Sequence, residues 1–140
     1  METKKTTREE YQKCVNAVVS LHRAEGFGLV MAEAMLNGVP CIATNWSANT
    51  EFMNSDVACM VDYKLVELDR NIGPYKKGNR WADPDVEQAA AYMRKLYLEP
   101  EYGRRKAELA QKYIAKHLGL NRAVSIVNDR VATIYGDSAE

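Results

Sequence analysis

The sequence has no surplus of charge of either sign: Lys+Arg 19 balance Asp+Glu 19. The balance also holds locally, with ten basic and ten acidic residues up to Arg80 and nine of each after it. Neither half is a basic arm or an acidic tail, so a nucleic-acid partner has no electrostatic motive. No apolar run approaches the roughly 18 residues of a membrane span, and the opening METKKTTREE lacks the apolar core of a secretion signal. Cysteine is scarce. Cys14, Cys41 and Cys59 are odd in number, have no metal-ligand spacing and stand in apolar or strand-like surroundings. They read as reduced, buried thiols of a cytoplasmic protein, not as a disulfide frame. What is present is 46% hydrophobic and 27% charged residues in a chain of 140. That is the mix and length of one ordinary globular domain, and it excludes wholesale disorder.

Along the chain, residues 1–7 are polar and expected to fray, and 8–14 read as a short helix. The run Asn16-Ala-Val-Val-Ser-Leu21 has the composition of a buried strand. A tight connection at 22–26 leads to a strongly apolar helix over 27–37, with Gly38 as the left-handed residue that ends it. Val39-Pro-Cys-Ile-Ala-Thr44 is a second buried strand with its proline near the start. A polar turn at 45–49, a short helix at 50–53 and a third strand at 57–61 follow. Strand and helix alternating over short links predict an α/β fold with a parallel, doubly wound sheet of about three strands. Residues 62–82 break the rhythm as a long polar loop insertion with room for a hairpin. Residues 83–136 are helical, with Asp83 as N-cap and Pro84 at N1 of the first helix. Pro100 opens the next helix, Gly119 closes it, and Asn121 caps the last. That last helix carries Val124, Val127, Val131 and Ile134 at helical spacing. No internal repeat or low-complexity segment interrupts a single domain spanning 1–140.

The most informative stretch is Glu25-Gly-Phe-Gly-Leu-Val-Met-Ala-Glu33-Ala-Met-Leu-Asn-Gly. From Phe27 to Leu36 every residue is apolar or glycine except Glu33. A helix apolar on nearly all sides belongs inside a protein. An ionised carboxylate there must be paired, hydrogen-bonded or facing a cleft. Glu25 lies just before the first turn, where free N–H groups and the positive helix end attract anions. Gly26 and Gly28 would let a ligand approach the backbone closely. Together these point to amides for phosphate or sugar oxygens and carboxylates for vicinal hydroxyls. The alternative is an internal ion pair for Glu33 and an ordinary surface position for Glu25.

The full stretch S-L-H-R-A-E-G-F-G-L-V-M-A-E-A-M-L-N-G-V-P-C-I-A-T resembles the E-x(7)-E signature of retaining, nucleotide-sugar-dependent glycosyltransferases of the GT-B fold (group 1, family four). The match is close over residues 11–50 and weaker, but in phase, to the C-terminus. Two acidic residues, two glycines and the following G-V-P strand entry all fall in place, which makes the motif far more specific than a lone G-x-G. The resemblance implies that Glu33 binds the ribose hydroxyls of the donor nucleotide. It implies that Glu25 lies beside the donor sugar as the catalytic glutamate, binding its hydroxyls or stabilising developing charge. By the same match the backbone amides of Gly26, Phe27, Gly28 and Leu29 contact sugar and pyrophosphate oxygens. His22 and Arg23 stand beside this loop as further substrate contacts, with a solvated turn as their alternative. Ser47 and Ala48 take the place of glycines that relatives often carry in a Gly-Gly-x-x-Glu turn.

The resemblance covers only the latter half of a GT-B C-terminal domain, so a partial Rossmann-like domain is expected. The first strands are expected to be missing, together with the basic residues that in relatives hold the diphosphate leaving group. The implied function is the donor-binding part of a glycosyltransferase, inactive alone. It would use a nucleotide-diphosphate sugar as donor, a glycan or lipid-linked saccharide as acceptor, and no metal or other cofactor. Any peripheral membrane contact would belong to the missing domain. The alternative is a non-catalytic truncated chain or interaction module that keeps the fold. The first strand would lack its neighbour, and an unpaired strand edge predicts a homo-oligomer.

Overall fold

Short apolar runs of alternating side-chain direction, each followed by a glycine or a polar turn, set up the sheet. The computed structural model describes residues 15–136; the helix expected over 8–14, and Cys14 with it, lie outside them. Strand β1 is Val18–Ser20, β2 Cys41–Thr44 and β3 Cys59–Val61. They pair in parallel in the order β1-β2-β3, with Val19 opposite Ile42 and Ala43 opposite Met60. Helix α1, Leu29–Leu36, makes the crossover from β1 to β2. Gly38 ends it at φ 71, a conformation that costs a glycine little.

The period-two alternation of the strands sorts the core into two layers. Cys41, Ala43 and Met60 pack with Met31 and Met35 of α1 and with Ala110 and Ile114 of α3 (Pro100–His117). From the other face Ile42, Cys59 and Val61 meet Ala89 of α2 (Val86–Leu98), with Tyr92, Leu96 and Tyr102 around them. Helices therefore cover both faces of a parallel sheet, the α/β arrangement expected for part of a GT-B C-terminal Rossmann-like domain. Both described cysteines are free and buried. Burial, with a smaller contribution from Cys59, pushes the Cys41 thiol up to about 12.

Four local expectations change. The 62–82 segment is not mainly loop, because the hairpin for which it had room forms: β4, Tyr63–Glu67, pairs antiparallel with β5, Arg80–Pro84, with Val66 opposite Trp81. Asp83 and Pro84 consequently belong to β5, facing Lys64 and Tyr63. The N-cap of α2 is Asp85, whose Oδ1 accepts from the Gln88 N–H at 2.9 Å. Asn121 does not cap the last helix either. Helix α4, Leu120–Tyr135, starts at Gly119, whose carbonyl accepts from Arg122 and Ala123.

The fourth correction concerns α1, which is not enclosed on all sides. Leu29 is 59% exposed, Val30 49% and Leu36 52%, whereas Ala34 and Met35 are fully buried. Positions 29, 33 and 36 share one stripe of the helix with 30 beside it, so half-buried Glu33 sits in the middle of the open face. Helix α4 goes further. Its apolar stripe of Val124, Val127, Val131 and Ile134 is exposed, and no residue of the helix is buried.

Candidate functional site

In a parallel α/β sheet the loops that follow the carboxyl ends of the strands collect on one edge, and ligands bind there. Here those loops are 21–28, after β1, and 45–47, after β2, and they are bonded to each other. Glu25 N–H donates to Ser47 Oγ at 3.2 Å, and the Ser47 hydroxyl donates to the Glu25 carbonyl at 2.8 Å. The Ala48 N–H adds a longer contact to the same carbonyl, 3.5 Å.

Glu25 is half-buried, and its carboxylate turns back over its own loop. Oε1 accepts from the Gly26 N–H at 2.9 Å and from the Phe27 N–H at 3.4 Å. These are two of the amides that the resemblance implies for ligand oxygens, so the carboxylate and the amides occupy one small region.

The two glycines of the loop do different work. A Cβ on Gly26 would meet nothing within 4 Å, so its backbone faces open space. Gly28 has φ +97, and a Cβ there would lie 2.8 Å from Met31 Cε, 3.2 Å from Phe52 Cζ and 3.3 Å from Asn49 Cβ. Gly28 starts α1 in the left-handed conformation, and its carbonyl accepts from Met31 and Ala32. It is needed so that the helix start can sit on the core. Phe27 rests its ring on Phe52, with centroids 5.3 Å apart. Leu29 is the exposed first residue of α1.

His22 is half-buried and Arg23 exposed, and each has protein partners. His22 Nε2 lies 2.9 Å from the Trp46 carbonyl oxygen and 3.0 Å from Asn49 Oδ1, while Nδ1 lies 3.0 Å from Ser20 Oγ. The Arg23 guanidinium pairs with Asp83 at 2.7 Å and lies over the Trp81 ring, 5.1 Å from its centroid. Its carbonyl accepts from the Ala82 N–H at 3.0 Å, which fastens the β4–β5 hairpin to the site loop.

Three residues of this network had little signal in the sequence. Asn49 is fully buried, donates to the Thr44 carbonyl and holds the 3₁₀ turn Ala48–Glu51 against the end of β2. A single Asn in a polar segment carries no periodicity that could announce burial. Ser47 was visible only as a departure from a glycine pattern. It has φ 78 and ψ −159, a region of backbone space that glycine occupies and other residues rarely do. Trp46 contributes its carbonyl to His22 and packs its ring, tilted by 48°, against Tyr63, 5.1 Å between centroids.

A parallel sheet covered by helices on both faces, with an acidic, glycine-containing loop at its carboxyl edge, defines a Rossmann-like domain. The chain belongs to the family of group 1 glycosyl transferases, whose family model matches residues 2–117. A search of curated proteins gave no match. Among the described residues no helix is long and apolar enough to cross a membrane.

Proposed function

We propose that this chain is the donor-binding part of a retaining glycosyltransferase that uses a nucleotide-diphosphate sugar. The observation that carries the reading is the placement of Glu33 on the open face of α1, with the Glu25 carboxylate and the unobstructed Gly26 backbone in the loop before that helix. Glu33 is assigned to the ribose hydroxyls, for which a carboxylate supplies two acceptor oxygens. Glu25 is assigned to the donor sugar as the catalytic glutamate. The Gly26 and Phe27 amides are assigned to sugar or phosphate oxygens, which would take them over from Glu25 Oε1 and leave that carboxylate to the sugar. Gly28 and Leu29 complete the loop, and His22 supports it from behind.

The diphosphate leaving group needs positive charge. Arg23, the cation carried on the loop itself, is already paired with Asp83. The compensating charge is therefore assigned to a further domain, which would also bring the glycan or lipid-linked acceptor and any peripheral membrane contact. On this reading the chain binds donor and does not turn it over alone. No metal or other cofactor is assigned to the reaction. The location proposed is cytoplasmic.

A second reading, a non-catalytic interaction module, is favoured by α4, whose apolar stripe is exposed along its whole length. A thermal-shift screen against UDP, GDP and ADP and their sugars separates the two. Stabilisation by one nucleotide series supports donor binding, and no shift with any of them supports the module. A homo-oligomer is part of the proposal in either case, through the edge of β1 or the exposed apolar face of the C-terminal helix α4. Sedimentation at micromolar concentration should show association, and a clean monomer contradicts it.

A further inference from the structure

We infer that Ser47 is a positioning residue for Glu25, an inference that rests on the donor-binding reading above. A backbone residue offers one donor and one acceptor, and here a single hydroxyl takes both from Glu25. Oγ accepts from the Glu25 N–H at 3.2 Å and donates its proton to the Glu25 carbonyl at 2.8 Å. The hydroxyl is thus used as donor and acceptor toward the two peptide groups that flank one residue, which fixes that residue in rotation as well as in position.

Ser47 is itself held from the other side. Its carbonyl accepts from the Thr50 N–H at 3.2 Å and from the Thr50 hydroxyl at 2.8 Å. The turn it opens is anchored by buried Asn49 on the Thr44 carbonyl at the end of β2. The sheet thus holds the turn through Asn49, and Ser47 at the start of that turn holds Glu25. To deliver its hydroxyl, Ser47 adopts φ 78 and ψ −159. Glycine would take that conformation freely but has no hydroxyl; alanine would carry the strain without the bonds. Serine alone among the three accepts the strain and makes the latch. Its consequence is that the Glu25 carboxylate and the adjoining Gly26 amide are presented at a set place relative to the carboxyl edge of β2.

The test compares the wild-type chain with Ser47→Gly and Ser47→Ala. Amide hydrogen exchange followed by NMR reads the latch directly. The Glu25 amide should exchange about tenfold faster in both variants, the size expected for one lost hydrogen bond. The Ile42 and Ala43 amides of β2 should stay unchanged. The functional readout is the ratio of affinities for UDP-glucose, GDP-mannose and ADP-glucose over the matching free diphosphates. A purely structural role would leave that ratio unchanged in Ser47→Gly, which relieves the backbone strain and keeps the fold. A positioning role lowers the ratio at least about fivefold in both variants, with affinity for the free diphosphate held within twofold. Unchanged exchange at Glu25, or an unchanged ratio, overturns the inference. If the wild-type chain binds none of the six ligands, the donor reading fails and the positioning role fails with it; exchange at Glu25 still decides whether the latch exists.

Discussion

His22 Nε2 and Asn49 Oδ1 lie 3.0 Å apart, joining the loop after β1 to the turn after β2. Asn49 turns its Nδ2 to the Thr44 carbonyl, so Oδ1 is the atom that faces the imidazole. The second neighbour of Nε2 is the Trp46 carbonyl oxygen, also an acceptor. The proton therefore sits on Nε2, and Nδ1 accepts from the Ser20 hydroxyl. Nitrogen-15 NMR of the imidazole should show the Nε2–H tautomer. Asn49→Ala removes the amide from a fully buried position and leaves the Thr44 carbonyl without it, at a cost of roughly 2–4 kcal/mol in chemical denaturation. An unchanged denaturation midpoint would show that the bridge is dispensable.

The two glycines of the site loop should behave oppositely on substitution. Gly28→Ala puts a Cβ at φ +97 against Met31, Phe52 and Asn49. The strained backbone and the overpacking together should cost roughly 2–4 kcal/mol. Gly26→Ala enters open space and should leave stability within about 0.5 kcal/mol of the wild type. If Gly26→Ala nonetheless weakens nucleotide-sugar binding, the loss comes from the ligand's approach to the backbone. Equal stability losses at the two positions would contradict the division of labour.

The buried thiols give a pH dependence with a definite sign. Burial raises the Cys41 thiol to about 12 from an ordinary value of 9.0, and Cys59 is raised as well, again mainly by burial. Below pH 9 the Cys41 thiol keeps its proton whether the chain is folded or unfolded, and its contribution to stability is fully present. Between pH 9 and 12 the unfolded chain gives up the proton first, so stability falls as pH rises. The stability gap between wild type and Cys41→Ala should therefore shrink between pH 8 and 10.5. A gap that stays constant or widens over that interval would mean that the thiol ionises with equal ease in both states.

The sequence carried the parallel sheet and its crossover helix because both follow from periodicity and glycine punctuation. Gly38 ends α1 where a left-handed residue was required. Apolar content alone misled on the burial of α1. A nearly all-apolar helix reads as interior, yet α1 leaves Leu29, Val30 and Leu36 exposed around the glutamate. Composition does not say which apolar face has a partner. The β4–β5 hairpin was legible only as room within a polar loop, because its strands carry Lys, Glu, Arg and Asp and only cross-strand pairing makes them strands. Once β5 runs to Pro84, the cap of α2 moves two residues on to Asp85, and Asp83 becomes the partner of Arg23. The bonds of Ser47 and Asn49 join segments 22 to 27 residues apart in sequence, beyond the reach of local spacing.

The most direct measurement of the central claim is a calorimetric titration of the wild-type chain and of Glu33→Ala with UDP, GDP and ADP. The claim that Glu33 holds the ribose predicts saturable binding of one of these diphosphates to the wild type. In the variant that binding should be weakened about tenfold or more, as expected when charged hydrogen bonds worth ~1.5–3 kcal/mol are lost. Glu33 stands on the open face of α1, so the variant should remain folded and the comparison stay clean. Equal affinity in a folded Glu33→Ala variant, or no binding by the wild type, would contradict the account.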